Sequence, residues 1–292
     1  MLKVAVLMRT KNSSWVIAQT LNALFSQKGV DFKLYIIDSG STDNTEEICR
    51  RFPHHTIQMK QDEYIPGPII NWALEHINEK IIVMLNSDSV LLTPNSLKLL
   101  IEPLIESNEV VASVGRQIPR PEAEPWVVKD YQYSFPETKK APNHITLSFP
   151  LSAFKRKVWE KEKFYEESWG SEDTEWGKRI LDKKLGKIVY VPKSITMHSH
   201  NYTNKEIHNR KFIEGEADFF IYRIKPNVIK IIYSFVKRSL SEILYYIKTG
   251  NILSTYKILI RNYFYFLGYY RGLKNALNRS ITNCEKVVHR PY

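Results

Sequence analysis

One acidic side chain follows an apolar run, in a place that suits either a ligand-binding carboxylate or an ordinary turn residue. The segment IIVML leads directly into Asn86, Ser87 and Asp88, so a buried strand is predicted to end in small polar residues. Mg²⁺ and Mn²⁺ prefer carboxylate and phosphate oxygens and often use few protein ligands. Two interpretations therefore stand: a polar turn, or a divalent-cation site built around Asp88.

Two further groups of residues are suited to acid–base or ligand chemistry. Glu172 and Asp173 begin a predicted helix, where carboxylates can act as bases or can simply be the acids that a helix N-terminus favours. His198 and His200 follow a predicted strand, and imidazole can bind a cation or contact an anion. A lone histidine is usually structural, whereas two histidines that flank one serine favour a role in a site.

The elements that must position these residues alternate between strand and helix. Short apolar runs predict strands, and apolar residues at helical spacing predict helices. The predicted order is strand 3–8, helix 13–27, strand 33–38, helix 46–52, strand near 56–60, helix 69–80 and strand 81–87. This alternation predicts an α/β fold with a mostly parallel sheet and helices on both of its faces.

The loops that follow three of these strands are polar. Ligands bind beyond the carboxyl ends of the strands in sheets of this kind. Arg9–Asn12, Asp38–Asp43 and Asn86–Asp88 all lie at such ends. Three polar loops on one rim are better evidence for a ligand site than any one of them alone.

The rest of the chain is less regular until its C-terminal part. Residues 116–147 are rich in proline and predict an irregular excursion with one or two edge strands. Residues 151–182 predict a return to helical structure, and KIVYVP at 187–192 predicts another strand. From about residue 204 onward the chain predicts helices.

The positive charge is concentrated at the C-terminal end. Residues 223–292 carry 13 basic and 2 acidic residues, and the remaining 222 residues are balanced at 29 of each, so the net charge of +11 belongs to this end. The same segment is rich in Ile, Leu, Tyr and Phe, but no uncharged run approaches the roughly 20 residues that cross a bilayer. This composition favours helices on a membrane surface; packing on the body or on a second copy in a homodimer is the alternative. Nucleic acid is not an expected partner, since no recognition motif accompanies the charge.

The cysteine content and the N-terminal segment indicate where in the cell the protein is expected to be. The two cysteines, Cys49 and Cys284, suggest no disulfide framework, so a reducing cytoplasm is the expected location. The first apolar run is too short for a secretory signal peptide and is better explained as a strand. We therefore expect a cytoplasmic protein, peripheral on the inner face of the cell membrane.

Four segments occur along the chain in the order VAVLMRTKN, LYIIDSGSTDNT, MLNSDS and SEDTEWGKRI. Together they resemble family 2 glycosyltransferases with the GT-A fold, over roughly residues 3–200. The stretch from SAFKRKVWE to MHSHNYT is most similar to bacterial rhamnosyltransferases of that family. The resemblance implies a GT-A domain at 1–203, with a Rossmann-like, mixed but mostly parallel sheet, and a C-terminal helical region at 204–292.

The resemblance also implies a reaction. It is an inverting transfer of a sugar, such as L-rhamnose, from a dTDP- or UDP-linked donor to a hydroxyl of a surface glycan or lipid-linked glycan. The implied cofactor is Mg²⁺ or Mn²⁺, which would neutralise the leaving diphosphate. Asp173 matches the catalytic base, and Glu172 would orient the acceptor.

Binding roles follow from the same motifs. Asp88 and His198 are the expected cation ligands, and Asn86 stands where the family's Asp-x-Asp motif has its first acid. Asp38 would accept a hydrogen bond from a pyrimidine base, in a turn that Gly40 permits and Asp43 fixes. The other expected nucleotide-sugar contacts are Thr10, Asn12, Ser39, Gly67, Asn71, Asn86 and Ser87. Expected acceptor or donor contacts are Trp169, Trp176, Arg179, His200 and Tyr202, where Trp176 could instead pack and Arg179 could instead pair with Glu175.

Two other functions stay open at this point. Asn86 motivates a non-catalytic subunit that binds nucleotide or acts as a scaffold in a glycan-assembly complex. A nucleotidyltransferase would need a glycine-rich, basic phosphate loop after the first strand, and MRTKNSSW contains no glycine.

Overall fold

The centre of the protein is one eight-stranded mixed sheet. The computed structural model describes residues 3–57, 65–138, 146–166 and 170–281. The strands are β1 (Lys3–Thr10), β2 (Asp31–Asp38), β3 (His55–Thr56), β4 (Ile81–Leu85), β5 (Val90–Leu91), β6 (Val110–Ile118), β7 (Leu151–Lys155) and β8 (Lys187–Met197). Their order across the sheet is β3-β2-β1-β4-β7-β6-β8-β5. β1 to β4 are mutually parallel, β7 is antiparallel to β4 and β6, β8 is parallel to β6, and β5 is antiparallel to β8.

Helices cover both faces of the sheet and form the C-terminal region. They are α1 (Ile17–Phe25), α2 (Thr45–Cys49), α3 (Pro66–Glu75), α4 (Ser96–Glu106), α5 (Pro125–Ser134), α6 (Arg156–Lys161), α7 (Glu172–Asp182), α8 (Asn204–Tyr222), α9 (Val228–Lys248) and α10 (Tyr256–Ile281), with a 3₁₀ turn at Ile252–Ser254. Alternate side chains of β1 serve opposite layers, as strand geometry requires. Ala5 and Leu7 lie in the layer with α3 and α7, and Val4, Val6 and Met8 lie in the layer with α1 and α4.

The alternation of strands and helices predicted for residues 3–87 is confirmed where the structure describes the chain; residues 58–60 of the strand predicted near 56–60 lie outside the described residues. The separate prediction for the middle of the chain is wrong. The excursion predicted to hold edge strands contains the end of β6, a strand inside the sheet, and then the helix α5. β7 occupies the start of the segment that was predicted to be helical. Every side chain of β7 is buried, and most of those of β6 are. A strand buried on both faces shows no apolar–polar alternation, so periodicity does not distinguish it from a buried helix.

Strand direction brings the polar loops to one rim. β1, β2, β4, β6 and β8 all end there, and β7 begins there, because it runs in the opposite sense. The expectation of a shared polar rim is therefore confirmed for the loops after β1, β2 and β4. The rim also receives the ends of β6 and β8, and these strands carry residues of the candidate site.

The C-terminal helices confirm the helical prediction from residue 204 within the part of the chain that the structure describes. α8 and α10 pack closely at three glycines, Gly215, Gly268 and Gly272. Any side chain at these positions would collide with a backbone oxygen of the opposite helix, so the close packing requires glycine. α9 lies beside α10. No described helix combines the length and the apolar character that a membrane crossing needs.

Candidate active site

Asp88, His198 and His200 form a compact cluster on the rim. The Asp88 Oδ2 atom lies 2.9 Å from His200 Nε2 and 3.6 Å from His198 Nε2. All three ligand atoms lie within 4.8 Å of one another. One carboxylate oxygen and two imidazole nitrogens therefore converge on one small space.

The strand ends hold this cluster in place. The turn after β4 is closed by a hydrogen bond from Ser89 N to Asn86 O (3.0 Å), and the Arg120 guanidinium donates to Asp88 O (2.7 Å). His198 N donates to Ile118 O at 3.0 Å, which continues the pairing of β8 with β6 by one residue. Asp88 and the histidines thus come from separate strand ends that the sheet brings together.

A glutamine fixes the imidazole of His198. Gln117 Nε2 donates to Ser148 Oγ at 2.8 Å, so the amide oxygen of Gln117 faces His198 Nδ1 at 3.1 Å. Nδ1 must therefore carry the proton and donate, which leaves the lone pair of Nε2 directed toward Asp88. Burial lowers the pKa of His198 to about 4, against the opposing charge of Asp88. The ring is neutral at physiological pH, and the neutral ring is the form that binds a cation.

The carboxyl group of Asp88 is ionised. Burial raises its pKa, but the hydrogen bond from His200 and the two nearby histidines lower it further, so the pKa lies below its ordinary value. An ionised Asp88 carboxylate and a neutral His198 imidazole are the protonation states that metal binding requires of these two groups.

The donor set fits a divalent cation. Ligands in adjacent positions around one octahedral ion at about 2.1 Å lie about 3 Å apart, close to the 2.9 and 3.6 Å found here. Imidazole nitrogen suits Mn²⁺ better than Mg²⁺, which takes oxygen ligands almost exclusively. His198 was expected to bind the cation, and His200 was expected to contact the donor or the acceptor. In the structure the Nε2 atom of His200 lies closer to the Asp88 carboxylate than that of His198 does.

Glu172 and Asp173 lie at the start of α7, after Ser171 in the left-handed conformation (φ 58°). Asp173 Oδ2 accepts a hydrogen bond from Phe149 N (3.1 Å), and Oδ1 accepts one from Thr174 N (2.7 Å). The buried Glu172 accepts one from the Arg9 guanidinium at 2.8 Å. The orientation of both acids is therefore fixed, Glu172 through β1 and Asp173 through the segment before β7.

Burial, with the negative charge of Glu172 beside it, raises the pKa of Asp173 to about 6. A helix N-terminus favours the ionised form of a carboxylate, but burial outweighs that effect at Asp173. Since the pKa stays below 7, Asp173 is still mostly ionised at neutral pH. A carboxylate with a pKa near the working pH is well suited to accept a proton.

Both groups of residues face one cavity of about 540 Å³. Its wall includes Asp88, Asp173, His198 and His200, and also Asn86 and Tyr202. The amino-acid sequence separates these residues widely, and the sheet brings them to one space. A candidate base and a candidate cation site therefore share a cavity large enough for a sugar.

Helices α5 and α8 also line this cavity. Tyr131 of α5 lies 3.3 Å from His198 Nδ1, and the guanidinium of Arg210 in α8 lies 4.5 Å from the ring centre of Tyr202. Tyr202 itself stacks on His200, with ring centres 5.2 Å apart. Contact of His200 or Tyr202 with a ligand stays a prediction.

The loops after β1 and β2 are tied to each other. The Asp38 carboxylate accepts hydrogen bonds from Gly40 N (2.9 Å), Ser41 N (2.6 Å) and Ser41 Oγ (2.6 Å). Asn12, at φ 47°, donates from its backbone to Ser41 Oγ, and its side chain accepts from Thr42 N. Much of the hydrogen-bonding capacity of Asp38 is therefore used within its own turn, and its contact with a base stays a prediction.

Three more residues of these loops have defined places. Ser39 N donates to Thr10 O at 2.9 Å, and the buried Thr10 hydroxyl has no hydrogen-bond partner among the described residues. Asp43 accepts hydrogen bonds from the Thr45 hydroxyl and from Ser14 N and Thr45 N, the last two at 3.0 Å each. These bonds, and the one from the Thr45 hydroxyl most of all, hold the pKa of Asp43 far below its ordinary value. The expectation that Asp43 fixes the loop is confirmed.

Three expected nucleotide contacts are structural instead. A side chain at Gly67 would collide with the backbone oxygen of Tyr165, so the glycine serves close packing of α3. Asn71 is buried, accepts from Trp159 Nε1 (2.9 Å) and Phe164 N (3.0 Å), and donates to Phe164 O (2.9 Å). Ser87 is buried, with its hydroxyl 2.8 Å from Ser13 Oγ.

Two of the expected acceptor or donor contacts are also corrected. Trp176 is fully buried, donates to Glu162 O, and packs on Phe154 and Phe164, so no face is open to a sugar. Arg179 pairs with Glu162 and Glu175 at 2.7 Å each, which is the alternative given for it above. Trp169 lies outside the described residues.

The sequence-based interpretation missed four contributors to the site. Gln117 lies near the end of β6, Arg120 comes shortly after that strand, and Tyr131 belongs to α5. Because the sequence predicted neither the inner strand β6 nor the helix α5, none of these three residues was considered. Arg210 lies on α8, in a stretch for which the sequence predicted only helix. The available signal for Gln117 was its place at the end of an apolar run, the same signal that identified Asp38 and Asp88.

Comparison with known proteins supports this assignment of fold. Residues 5–162, more than half of the chain, match the model of the family described as Glycosyl transferase family 2. The O-antigen chain rhamnosyltransferase WbaN of Salmonella anatum is 29% identical over 206 residues, which cover 66% of this chain and 65% of WbaN, just under two thirds of its length. The O-antigen chain rhamnosyltransferase RfbN of Salmonella typhimurium is 26% identical over 228 residues, covering 73% of this chain and 72% of RfbN.

Solved structures share the architecture. The mannosyltransferase PcManGT of Pyrobaculum calidifontis, in complex with GDP-Man and Mn²⁺, has a TM-score of 0.58 at 16% identity, covering 96% of this chain and 75% of that one. Glucosyl-3-phosphoglycerate synthase of Mycobacterium tuberculosis, in complex with Mn²⁺, UDP-Glc and phosphoglyceric acid, has a TM-score of 0.56 at 18% identity, covering 73% and 77%. At these identities the likeness shows the fold alone, which is GT-A.

Proposed function

The chain belongs to glycosyl transferase family 2, and from this premise we propose that it is an inverting, cation-assisted transferase of L-rhamnose. Its donor is a nucleotide sugar, dTDP-L-rhamnose, and its acceptor is a hydroxyl of a growing, lipid-linked surface glycan. The observation that carries this proposal is the shared cavity, where the fixed carboxylate of Asp173 and the Asp88–histidine cluster face the same space.

Asp173 is the proposed base. It accepts the proton of the acceptor hydroxyl while the hydroxyl oxygen forms a bond to the anomeric carbon of the donor sugar. The bond from that carbon to the diphosphate oxygen breaks on the opposite side, so the configuration at the anomeric carbon inverts. The hydrogen bonds from Phe149 N and Thr174 N hold the carboxylate in place for this step.

Glu172 and Arg9 act together as positioning residues. Their buried pair at 2.8 Å holds the Glu172 carboxylate against the cavity wall, beside the proposed base. We propose that the second Glu172 oxygen accepts a hydrogen bond from the acceptor sugar and so orients the attacking hydroxyl.

Asp88, His198 and His200 are the residues that would hold the cation. When bound, a divalent cation neutralises the negative charge that develops on the leaving diphosphate. The two imidazole nitrogens lead us to favour Mn²⁺ over Mg²⁺. Arg210, beside Tyr202 in the same wall, would contribute a second positive charge there.

The identity of the sugar is proposed from the relatives. Both curated relatives are named as O-antigen chain rhamnosyltransferases. The two structural neighbours described above bind GDP- and UDP-linked sugars, so the nucleotide is the least constrained part of the proposal. We further propose that a GT-A domain at 1–203 carries the donor and the base, and that the helical region at 204–292 completes the acceptor side of the cavity through α8.

The test is a donor panel with the purified chain. We expect release of the nucleoside diphosphate from dTDP-L-rhamnose with Mn²⁺, faster than from UDP-glucose or GDP-mannose, and we expect Asp173→Asn to abolish it. Asp182→Asn, which changes an exposed acid on the same helix, is the matched control. Absence of turnover with every donor, or unchanged turnover in Asp173→Asn, would contradict the proposal. Nucleotide binding without turnover would favour the non-catalytic alternative that Asn86 motivates.

A further inference from the structure

Helix α9 presents apolar side chains to solvent along its whole length. Ile229 is 80% exposed, Tyr233 66% and Leu244 68%. The exposed apolar positions recur every three or four residues, so they form one continuous stripe on the helix. The stripe consists of Ile229, Ile232, Tyr233, Val236, Leu240, Leu244 and Ile247.

The inner side of α9 carries two buried polar side chains, Ser239 and Glu242, beside the buried Tyr246. Glu242 is fully buried and pairs with Arg238 at 2.8 Å and with Arg261 of α10. Ser239, also buried, accepts a hydrogen bond from Asn262 at 3.1 Å. A helix on a water-exposed surface buries its apolar side and exposes its polar side. α9 instead buries an ion pair and exposes a continuous apolar stripe, which indicates that its outer side is covered by something apolar.

The stripe continues into the next elements. Leu253 in the 3₁₀ turn is 92% exposed, and Tyr256, Leu259 and Ile260 at the start of α10 are more than half exposed. Between α9 and α10 lies an apolar groove of about 260 Å³. Its walls include Ile232, Phe235, Tyr263, Phe266 and Tyr270.

Basic residues follow one edge of the stripe. Lys230, Lys237 and Lys248 are all exposed, and their spacings of seven and eleven residues place them on one line of the helix. Within the described residues 223–281 the single acidic side chain is Glu242, which is buried. This surface therefore exposes no carboxylate.

We propose that the α9 stripe, together with Leu253, Tyr256, Leu259 and Ile260, is a docking surface for an anionic lipid bilayer. Apolar side chains would enter the acyl boundary, tyrosines would lie at the headgroup level, and the lysine edge would pair with lipid phosphates. The groove between α9 and α10 has the apolar lining that one acyl or prenyl chain requires. The charge decides against a second copy as the occupant, because two such faces would bring lysines together with no carboxylate to pair with them.

The docking surface is directly connected to the candidate active site. Asp130 of α5 pairs with Arg238 of α9 at 2.7 Å, and Lys129 donates to Ser241 at 2.7 Å. The neighbouring Tyr131 lies beside His198 in the cavity wall. A bilayer on α9 would thus lie one helix away from the cavity, where a lipid-linked acceptor could reach it. The docking proposal stands on the surface alone and does not depend on which sugar is transferred.

The experiment is vesicle co-sedimentation of the full chain. Vesicles contain either phosphatidylcholine alone or phosphatidylcholine and phosphatidylglycerol in equal parts. We expect binding to the anionic vesicles that weakens with salt, and little binding to the neutral ones. Changing Lys230, Lys237 and Lys248 together to Gln should weaken binding roughly 100-fold, at about fivefold for each basic residue.

Two further variants distinguish a specific role of the α9 stripe from a general effect of removing exposed apolar side chains. Leu240→Ser with Leu244→Ser should abolish binding, whereas Ile105→Ser, an equally exposed apolar residue on α4, should leave it unchanged. All three positions are exposed, so both variants are expected to keep the wild-type unfolding temperature. Equal binding by the Leu240→Ser/Leu244→Ser variant and the wild type would overturn the proposal. So would a stable dimer, detected by light scattering without vesicles, that this double variant dissociates.

Discussion

Replacing Asp173 by Asn is expected to abolish sugar transfer and, at the same time, to stabilise the fold. Asn has nearly the shape of Asp but does not accept the proton of the acceptor hydroxyl, and a general base contributes about 10²–10⁴-fold to a rate. Burial and the charge of Glu172 raise the pKa of Asp173 to about 6. The ionised carboxylate therefore destabilises the folded protein, and Asn removes that charge.

The size of the stability gain can be worked out from these interactions. A rise in pKa from 3.8 to about 6 corresponds to at most about 3 kcal/mol at neutral pH. Asn keeps one oxygen, so one of the hydrogen bonds from Phe149 N and Thr174 N is lost, at a cost of about 1 kcal/mol. The expected net gain is about 1–2 kcal/mol in the free energy of unfolding, or about 2–4 °C in Tm.

The gain has a defined pH window. Asp173 in the unfolded chain titrates near its ordinary pKa of 3.8, and in the folded protein it titrates near 6. Below pH 3.8 the carboxyl group carries its proton in both the folded and the unfolded protein, so it does not destabilise the fold. As the pH rises through about 6, the folded protein also loses this proton, and the destabilisation by the buried charge is then complete. The advantage of Asp173→Asn should therefore vanish near pH 4 and be complete above about pH 7. Wild-type turnover should fall below about pH 6, because a protonated Asp173 accepts no proton.

Two measurements check this prediction. Release of nucleoside diphosphate gives the turnover, and thermal unfolding followed across pH gives the stability, with Asp182→Asn as the control on the exposed side of α7. A variant that keeps more than about a tenth of wild-type turnover would refute the role as base. A variant that is less stable than wild type at neutral pH would show that Asp173 serves the fold through its hydrogen bonds.

Four other predictions follow from the same structure. Gln117→Leu should weaken Mn²⁺ binding about 10–100-fold in calorimetry without nucleotide, because His198 loses its Nδ1 partner, and Gln117→Glu should restore it. Arg9→Met should cost about 3–5 kcal/mol in the free energy of unfolding, because it leaves the buried Glu172 without its counter-charge, and Arg9→Met with Glu172→Gln should recover most of it. Asn71→Leu should cost about 2–4 kcal/mol, since three hydrogen bonds inside the fold are lost, while nucleotide affinity of the folded fraction stays at the wild-type value. Asn86→Asp should strengthen Mn²⁺ binding measured without nucleotide; an unchanged affinity would place Asn86 outside the cation site.

The success of the sequence-based interpretation depended on local signals. The strand ends at Asp38 and Asp88 are each marked by an apolar run that stops at small polar residues, and a parallel sheet must bring such ends to one rim. The histidines after β8 were found in the same way. Asp43 was identified because a short acidic side chain in a turn commonly caps its own loop.

The errors came from residues whose environment is set by distant parts of the chain. Asn71 lies within α3, and in the sequence nothing distinguishes it from any other polar helix residue. Only the fold brings Trp159 and the backbone of residue 164 to its side-chain amide. Gly67 reflects the approach of Tyr165, 98 positions later. Trp176 lies on the same helix as Asp173, but on the side that faces the sheet, and spacing within a helix does not tell which side is buried.

The presence of Asn86 where the family motif has an acid is compatible with a cation site once the histidines are considered. Imidazole binds a cation in its neutral form, so one carboxylate and two imidazole ligands would give a site of charge −1, and a divalent ion would retain a net charge of +1. A protein site without a carboxylate would leave both charges of the divalent ion unneutralised and would bind the ion weakly. A site with two carboxylates would bind the ion whether or not the donor were present. With charge −1, the diphosphate of the donor supplies the missing negative charge, so cation and donor should each strengthen the binding of the other by the same factor. On the proposed function, Asn86 would make cation binding depend on the donor, which is a reason for the substitution that does not require the loss of catalysis.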